Sequence, residues 1–168
     1  AHVPDINDFT LGMKLILKTQ GTITLEFPHL LNLIKHCQFD TIYHEHYSYL
    51  SLYSVNEIMK KYNLKVYDVE KLSTHGGSLR VYISHANSNH KISDIVGSLI
   101  QKEKLFGLQS LNTYKNFEKK VFSIKYDLLE FLLKMKKEGK SVVGYGAAAN
   151  GNTLLNYAGI KSDLIHYI

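Results

Sequence analysis

The segment Phe39-Asp40-Thr41-Ile42-Tyr43-His44-Glu45-His46-Tyr47-Ser48-Tyr49 crowds aromatic rings, two imidazoles and two carboxylates into a single stretch. Such a set suits removal of a proton beside a carbonyl. A neutral imidazole, with an unperturbed pKa of about 6.5, can act as a base near neutral pH. A carboxylate can orient that imidazole, and a tyrosine hydroxyl can donate to a developing enolate oxygen. If the chain here were extended, Tyr43, Glu45 and Tyr47 would face one way and His44 and His46 the other. In a bent loop that division need not hold. Two further readings stay open. His-x-His can bind a metal, although no third ligand is close by and Glu45 is not at a helical spacing. The segment can also be an aromatic-rich loop whose histidines are simply hydrogen-bonded. The remaining histidines are scattered singly and read as structural or solvated.

A second chemical signal is Gly144-x-Gly146-x-x-Ala149, followed by Asn150-Gly151-Asn152-Thr153. Glycines let backbone N–H groups approach phosphate, and a helix N-terminus adds partial positive charge. The fingerprint also asks for an acid about 20 residues further on, where the sequence stops. A tight turn that needs small residues is the competing reading.

The elements that must position these residues follow from periodicity. Val3-Pro4-Asp5 reads as a loop entering a helix, with Asp8, Phe9, Leu11, Met13, Leu15, Ile16 and Leu17 following, and Gly21 stops it. Thr22–Phe27 alternates as a strand that ends at Pro28, and His29–His36 is a short helix. Asn56–Tyr62 is helical. Leu64–Leu72 and Ser78–His85 alternate as strands, joined by the turn Thr74-His75-Gly76-Gly77 into an antiparallel pair. Ile92, Ile95, Val96, Leu99 and Ile100 mark one buried helix face. Tyr114, Phe117, Val121, Ile124, Leu128, Leu132 and Met135 mark a longer one, ending at Gly139. These stripes read as core packing first and as a coiled-coil partner surface second. Ser141–Tyr145 reads as a buried strand, Leu154–Tyr157 as part of a helix, and Asp163–Ile168 as the opening of another strand. Together these would start a βαβ unit.

Composition bounds the class. The chain has 168 residues, 45% hydrophobic and 21% charged, with 11 Gly and 2 Pro, as an ordinary globular protein does. A chain of this length buries a core without disulfide staples. Cys37 is the single cysteine, so no internal disulfide and no four-cysteine zinc site can form, and a reducing compartment fits. No run approaches the roughly 20 apolar residues of a membrane span. The expectation is a cytoplasmic protein with no membrane partner. The net charge of +5 is too dilute for a nucleic-acid stripe. The opening at Ala1 and the final strand-like stretch suggest a piece of a longer protein.

Four motifs, in order along nearly the whole chain, carry a family resemblance. They are Glu26-Phe27-Pro28-His29-Leu30-Leu31, Gln38–His46, Thr74–Tyr82, and Gly144-Tyr145-Gly146-Ala147-Ala148 with Gly151–Tyr157. The opening Ala1–Asp5 also fits. The sequence resembles the C-terminal half of S-adenosylmethionine-dependent nucleotide-sugar C-methyltransferases of deoxysugar biosynthesis. The resemblance implies an α/β fold. Residues 1–86 would be the second half of a class I methyltransferase (Rossmann-like) sheet with an antiparallel final strand pair. Residues 87–139 would be connecting helices, and 140–168 the start of a second Rossmann-like βαβ domain that binds the nucleotide sugar. The reaction implied is methylation of a carbon alpha to the ketone of a nucleoside-diphosphate keto-deoxysugar. His46 would be the base, with Tyr43 and Glu45 orienting sugar and base. His2, His44, His75, Arg80, Gly144, Gly146, Asn150 and Asn152 would border the substrate. No metal is expected here. Zinc and the main S-adenosylmethionine motif would lie in polypeptide outside this stretch, which alone would be incomplete and inactive. The alternatives are a non-catalytic nucleotide- or nucleotide-sugar-binding module and a helical interaction module. Oligomeric state, sugar and methylated carbon stay open.

Overall fold

A computed structural model describes residues 1–146 and 148–166. Ala147 of the glycine loop, and Tyr167 and Ile168 of the expected last strand, lie outside the described residues. The chain divides into one unit of residues 1–36 and 45–111 and another of residues 37–44 and 112–168.

In the first unit, α1 (Ile6–Ile16) starts at Asp5, whose side chain accepts from the N–H groups of Asn7 and Asp8. That cap satisfies two donors no helical carbonyl can reach. Strand β1 (Ile23–Pro28) leads into α2 (Leu30–Lys35). Helix α3 (Leu52–Lys61) begins four residues earlier than the apolar spacing indicated. Ser51 caps it in a reciprocal box with Ser54, a signal that lies in the polar residues rather than the apolar stripe. Then come β2 (Leu64–Leu72) and β3 (Ser78–His85), antiparallel as expected.

Strand β3 also pairs antiparallel with β1, so the sheet runs β1-β3-β2 with the last strand in the middle. The register sets Phe27 beside Leu79, Leu25 beside Val81 and Ile23 beside Ile83 on one face. Leu79, Val81 and Ile83 are fully buried there, with Leu52, Val55 and Met59 of α3 in the same core. The other face pairs Glu26 with Arg80 and Thr24 with Tyr82. Alternation thus gives an apolar inner and a polar outer face.

Helix α4 (Asp94–Phe106) closes the unit and ends at Gly107 in a left-handed cap. Its buried side is Val96, Leu99 and Glu103. Ile92 and Ile95, assigned to a buried face by spacing, are exposed: Ile92 precedes the helix and Ile95 turns outward from it.

In the second unit, a turn of 3-10 helix at Phe39–Thr41 joins α5 (Leu111–Lys137) and α6 (Ala149–Ala158). Phe39 meets Tyr157 edge-on at 5.3 Å. Leu132, Ala158 and Ile160 form a small core with Leu128, Val142, Leu155 and Leu164 around it. Of the long helix's expected stripe, Val121 and Leu132 are buried, whereas Tyr114 and Ile124 remain exposed.

Among the described residues, the expected βαβ opening is present only as its helix. Residues 141–145 are not a strand, and Lys161 begins a turn in which its carbonyl accepts from Leu164 and Ile165. Among the described residues, a single long backbone bond, from the His166 N–H to the Val142 carbonyl at 3.4 Å, links the two segments. A strand exists only through its ladder, and one such bond does not make one. Val142, Leu164 and Ile165 pack on the small core of α5 and α6 instead, whereas Val143 and Tyr145, expected in a buried strand, are exposed.

Candidate functional site

His46 lies in a bent loop, so the two-sided alternation of an extended chain does not apply. Directly after His46 the loop is fixed by the Ala1 carbonyl, which accepts from the N–H groups of Tyr47 (2.9 Å) and Ser48 (3.3 Å). It is fixed at its end by the Leu30 N–H donating to the Leu50 carbonyl at 3.0 Å. The imidazole of His46 stacks on that of His2, centroids 5.0 Å apart and planes 8° from parallel. Tyr49 meets the same ring edge-on at 5.9 Å. His46 is half-buried, and His2 and Glu45 are exposed. The ring is therefore held by aromatic neighbours while the residue stays partly exposed, as a proton-transfer group requires.

Beneath His2 lies a cavity of about 240 Å³ with mostly apolar walls, including Phe9, Met13, Phe27 and Met59. Glu26 lines it and also lines an open hollow with Thr24, Arg80 and Tyr82. The Thr74 hydroxyl donates to Glu26 Oε1 at 3.0 Å and Arg80 to Oε2 at 3.0 Å. These two hydrogen bonds hold the Glu26 carboxyl below its usual range. Arg80 also faces Glu70 at 3.6 Å. Arg80, expected to border substrate, is thus set between two carboxylates on the outer sheet face. His75, also expected to border substrate, is exposed in the turn beside Thr74. Sequence reasoning gave Glu26 no role, although its place opposite Arg80 follows from the strand register.

In the second unit, Tyr43 and His44 have tilted rings 6.3 Å apart. Gly146 has φ +113°, with open space where a Cβ would stand. Asn150 and Asn152 lie in the first turns of α6, whose N-cap Ala148 offers no side-chain cap. Among the described residues, no three His, Cys, Asp or Glu side chains gather to hold a metal, and no helix is long and apolar enough to cross a membrane.

Sequence reasoning missed the most buried polar cluster. Glu103 is 1% exposed and His29 4%. Glu103 Oε1 accepts from His29 Nε2–H (2.7 Å) and the Leu52 N–H (2.7 Å), and Oε2 accepts from the Tyr53 N–H (2.8 Å). A carboxylate oxygen facing the ring nitrogen places the proton on Nε2.

These features define an α/β protein with a half-exposed imidazole on a braced loop beside an antiparallel sheet. Residues 73–168 match the family model described as the C-methyltransferase C-terminal domain, and the chain belongs to that family. Over 167 residues, 99% of the chain, it is 34% identical to the C-methyltransferase NovU of Streptomyces niveus. It spans 40% of that relative's length.

Proposed function

We propose that the chain forms part of an S-adenosylmethionine-dependent C-methyltransferase. Its substrate would be a nucleoside-diphosphate keto-deoxysugar, methylated on the carbon alpha to the ketone, with His46 as base. The observation that carries this reading is the His46 ring, half-exposed and set between His2 and Tyr49. Membership of a C-methyltransferase family and identity to a C-methyltransferase support it. The sheet order, with the last strand antiparallel between the other two, supports residues 1–86 as the closing part of a class I methyltransferase sheet.

His46 takes the proton from the carbon beside the ketone. The electron pair left behind spreads onto the ketone oxygen, where a hydrogen-bond donor stabilises it. On the family resemblance, Tyr43 and Glu45 orient sugar and base. The Gly144–Gly151 loop, with the uncapped start of α6, serves the nucleotide side. S-adenosylmethionine supplies an electrophilic methyl carbon. On the family resemblance, its main binding motif lies in polypeptide outside this stretch. The cavity beneath His2 has largely apolar walls, and its carboxylate, Glu26, is already bonded to Thr74 and Arg80.

The test is His46→Ala in the full-length protein. Turnover should fall by about 10²- to 10⁴-fold, the usual contribution of a general base, while nucleotide-sugar binding persists. Turnover near wild type would remove His46 from the role. Tight nucleotide binding without methyl transfer by the wild-type protein would favour the non-catalytic binding module, which the open cradle at Gly146 and α6 could serve.

A further inference from the structure

We infer that Glu103 is a positioning residue for His46, acting from α4 through the first turn of α3. The inference rests on the proposed role of His46 only for its kinetic consequence.

A carboxylate on a helix is ordinarily solvated, and burying one unpaired is costly. Glu103 is buried and receives three N–H donors. Two come from Leu52 and Tyr53, the opening residues of α3, where negative charge is favoured and backbone donors lack helical partners. Helix α3 already has the Ser51–Ser54 capping box, so the carboxylate is a second, independent anchor on the same turn. The third donor is His29, whose backbone pairs with Leu50 in an isolated parallel bridge. One side chain therefore fixes both lines of backbone that meet at Leu50.

Leu50 is the neighbour of Tyr49, and Tyr49 is the edge-on partner of the His46 ring. The Ala1 carbonyl holds the loop at Tyr47 and Ser48, directly after the imidazole, and the Glu103 anchor holds it at Leu52 and Tyr53, so the stretch that follows His46 is fixed at both ends. No atom of Glu103 needs to meet substrate for this. Its effect is on where the ring stands, and a displacement near 1 Å at a reacting group can cost about 100-fold in rate.

The experiment uses the full-length protein with Glu103→Gln. The amide keeps the shape but sets an NH₂ group against N–H donors on one side. Leu64→Ala serves as the stability control, because it opens a cavity in the same core while removing no hydrogen bond from the loop or the start of α3. Both variants are assayed well below their melting midpoints. The expected result for Glu103→Gln is a shift of the His46 ring NMR signals and a fall in kcat of about 10- to 100-fold. KM should stay within about threefold, since ground-state binding is not the interaction removed. Leu64→Ala should leave ring signals and kcat near wild type. If the ring signals move while kcat does not, positioning stands and the base role of His46 falls. Unmoved ring signals, or equal changes in the Leu64→Ala control, overturn the inference. Should Glu103→Gln fail to fold, His29→Leu replaces it, with His29→Gln restoring a donor at the position of Nε2. Rescue by Gln but not Leu supports the anchor, and equal behaviour of the two overturns it.

Discussion

Replacing Gly77 with alanine should destabilise the first unit by about 2–4 kcal/mol, in two separable parts. Gly77 has φ 115° and ψ 101°, a region that L-residues avoid. Holding alanine there costs about 1–3 kcal/mol. The added Cβ would also run into Asn32 Nδ2 and stand 3.1 Å from Asn32 Cγ. The amide can swing away, but it leaves its rotamer, at about 0.5–1.5 kcal/mol, and gives up its 3.4 Å bond to the Gly77 carbonyl. Asn32→Ala removes the far end of that side chain and leaves only its Cβ, 3.4 Å from the new methyl, an ordinary contact. In that background Gly77→Ala should cost the backbone part alone. Urea denaturation followed by far-UV circular dichroism, on the wild type, both single variants and the double variant, should give a coupling of about 1 kcal/mol. A cost for Gly77→Ala that is independent of residue 32, or below about 1 kcal/mol, would refute the reasoning. The corner matters because the Gly77 carbonyl also accepts from the His29 N–H at 3.0 Å, tying the β2–β3 turn to the buried cluster.

Two further predictions concern ionisation. Because Thr74 and Arg80 depress the Glu26 carboxyl from its reference value of 4.5, its contribution is present above that value and is lost as pH falls through the lower folded value. The difference in Tm between wild type and Glu26→Gln should therefore be largest at neutral pH and close on acidification; a gap that widens toward acid would contradict the pairing. Burial raises the Cys37 thiol above 9.0, against the opposing pull of Lys120. Alkylation by iodoacetamide at neutral pH should be slower than that of a free cysteine peptide and should accelerate as pH rises through the thiol range, whereas fast labelling at neutral pH would show an activated thiolate.

Much of the fold was legible because it is local. Strands β1, β2 and β3 alternate, and their bounds follow from Pro28, the Thr74–Gly77 turn and the positions of the apolar residues. The insertion of β3 beside β1 was not legible, since Ile23 and Ile83 are far apart in sequence and alternation names a face, not a neighbour. The start of α3 was missed because its signal is Ser51 with Ser54, not an apolar stripe. Residues 141–145 carry strand composition, yet the described residues supply one weak bond where a ladder is needed. Within the site, the Tyr43–Tyr49 cluster was visible by type. The stacking of His2 on His46 was not, because it depends on where the Ala1 carbonyl docks. Glu103 was invisible for a like reason: a glutamate looks solvated until donors from residues 29, 52 and 53 are brought to it by folding.

The family match opens at residue 73, in the turn between β2 and β3. The sheet is ordered β1-β3-β2. A gene trimmed at that boundary would encode the middle strand without either flank, leaving Leu79, Val81 and Ile83 wet and two rows of amide hydrogens bare. The homology border thus cuts through one continuous sheet, parting its central strand from both neighbours.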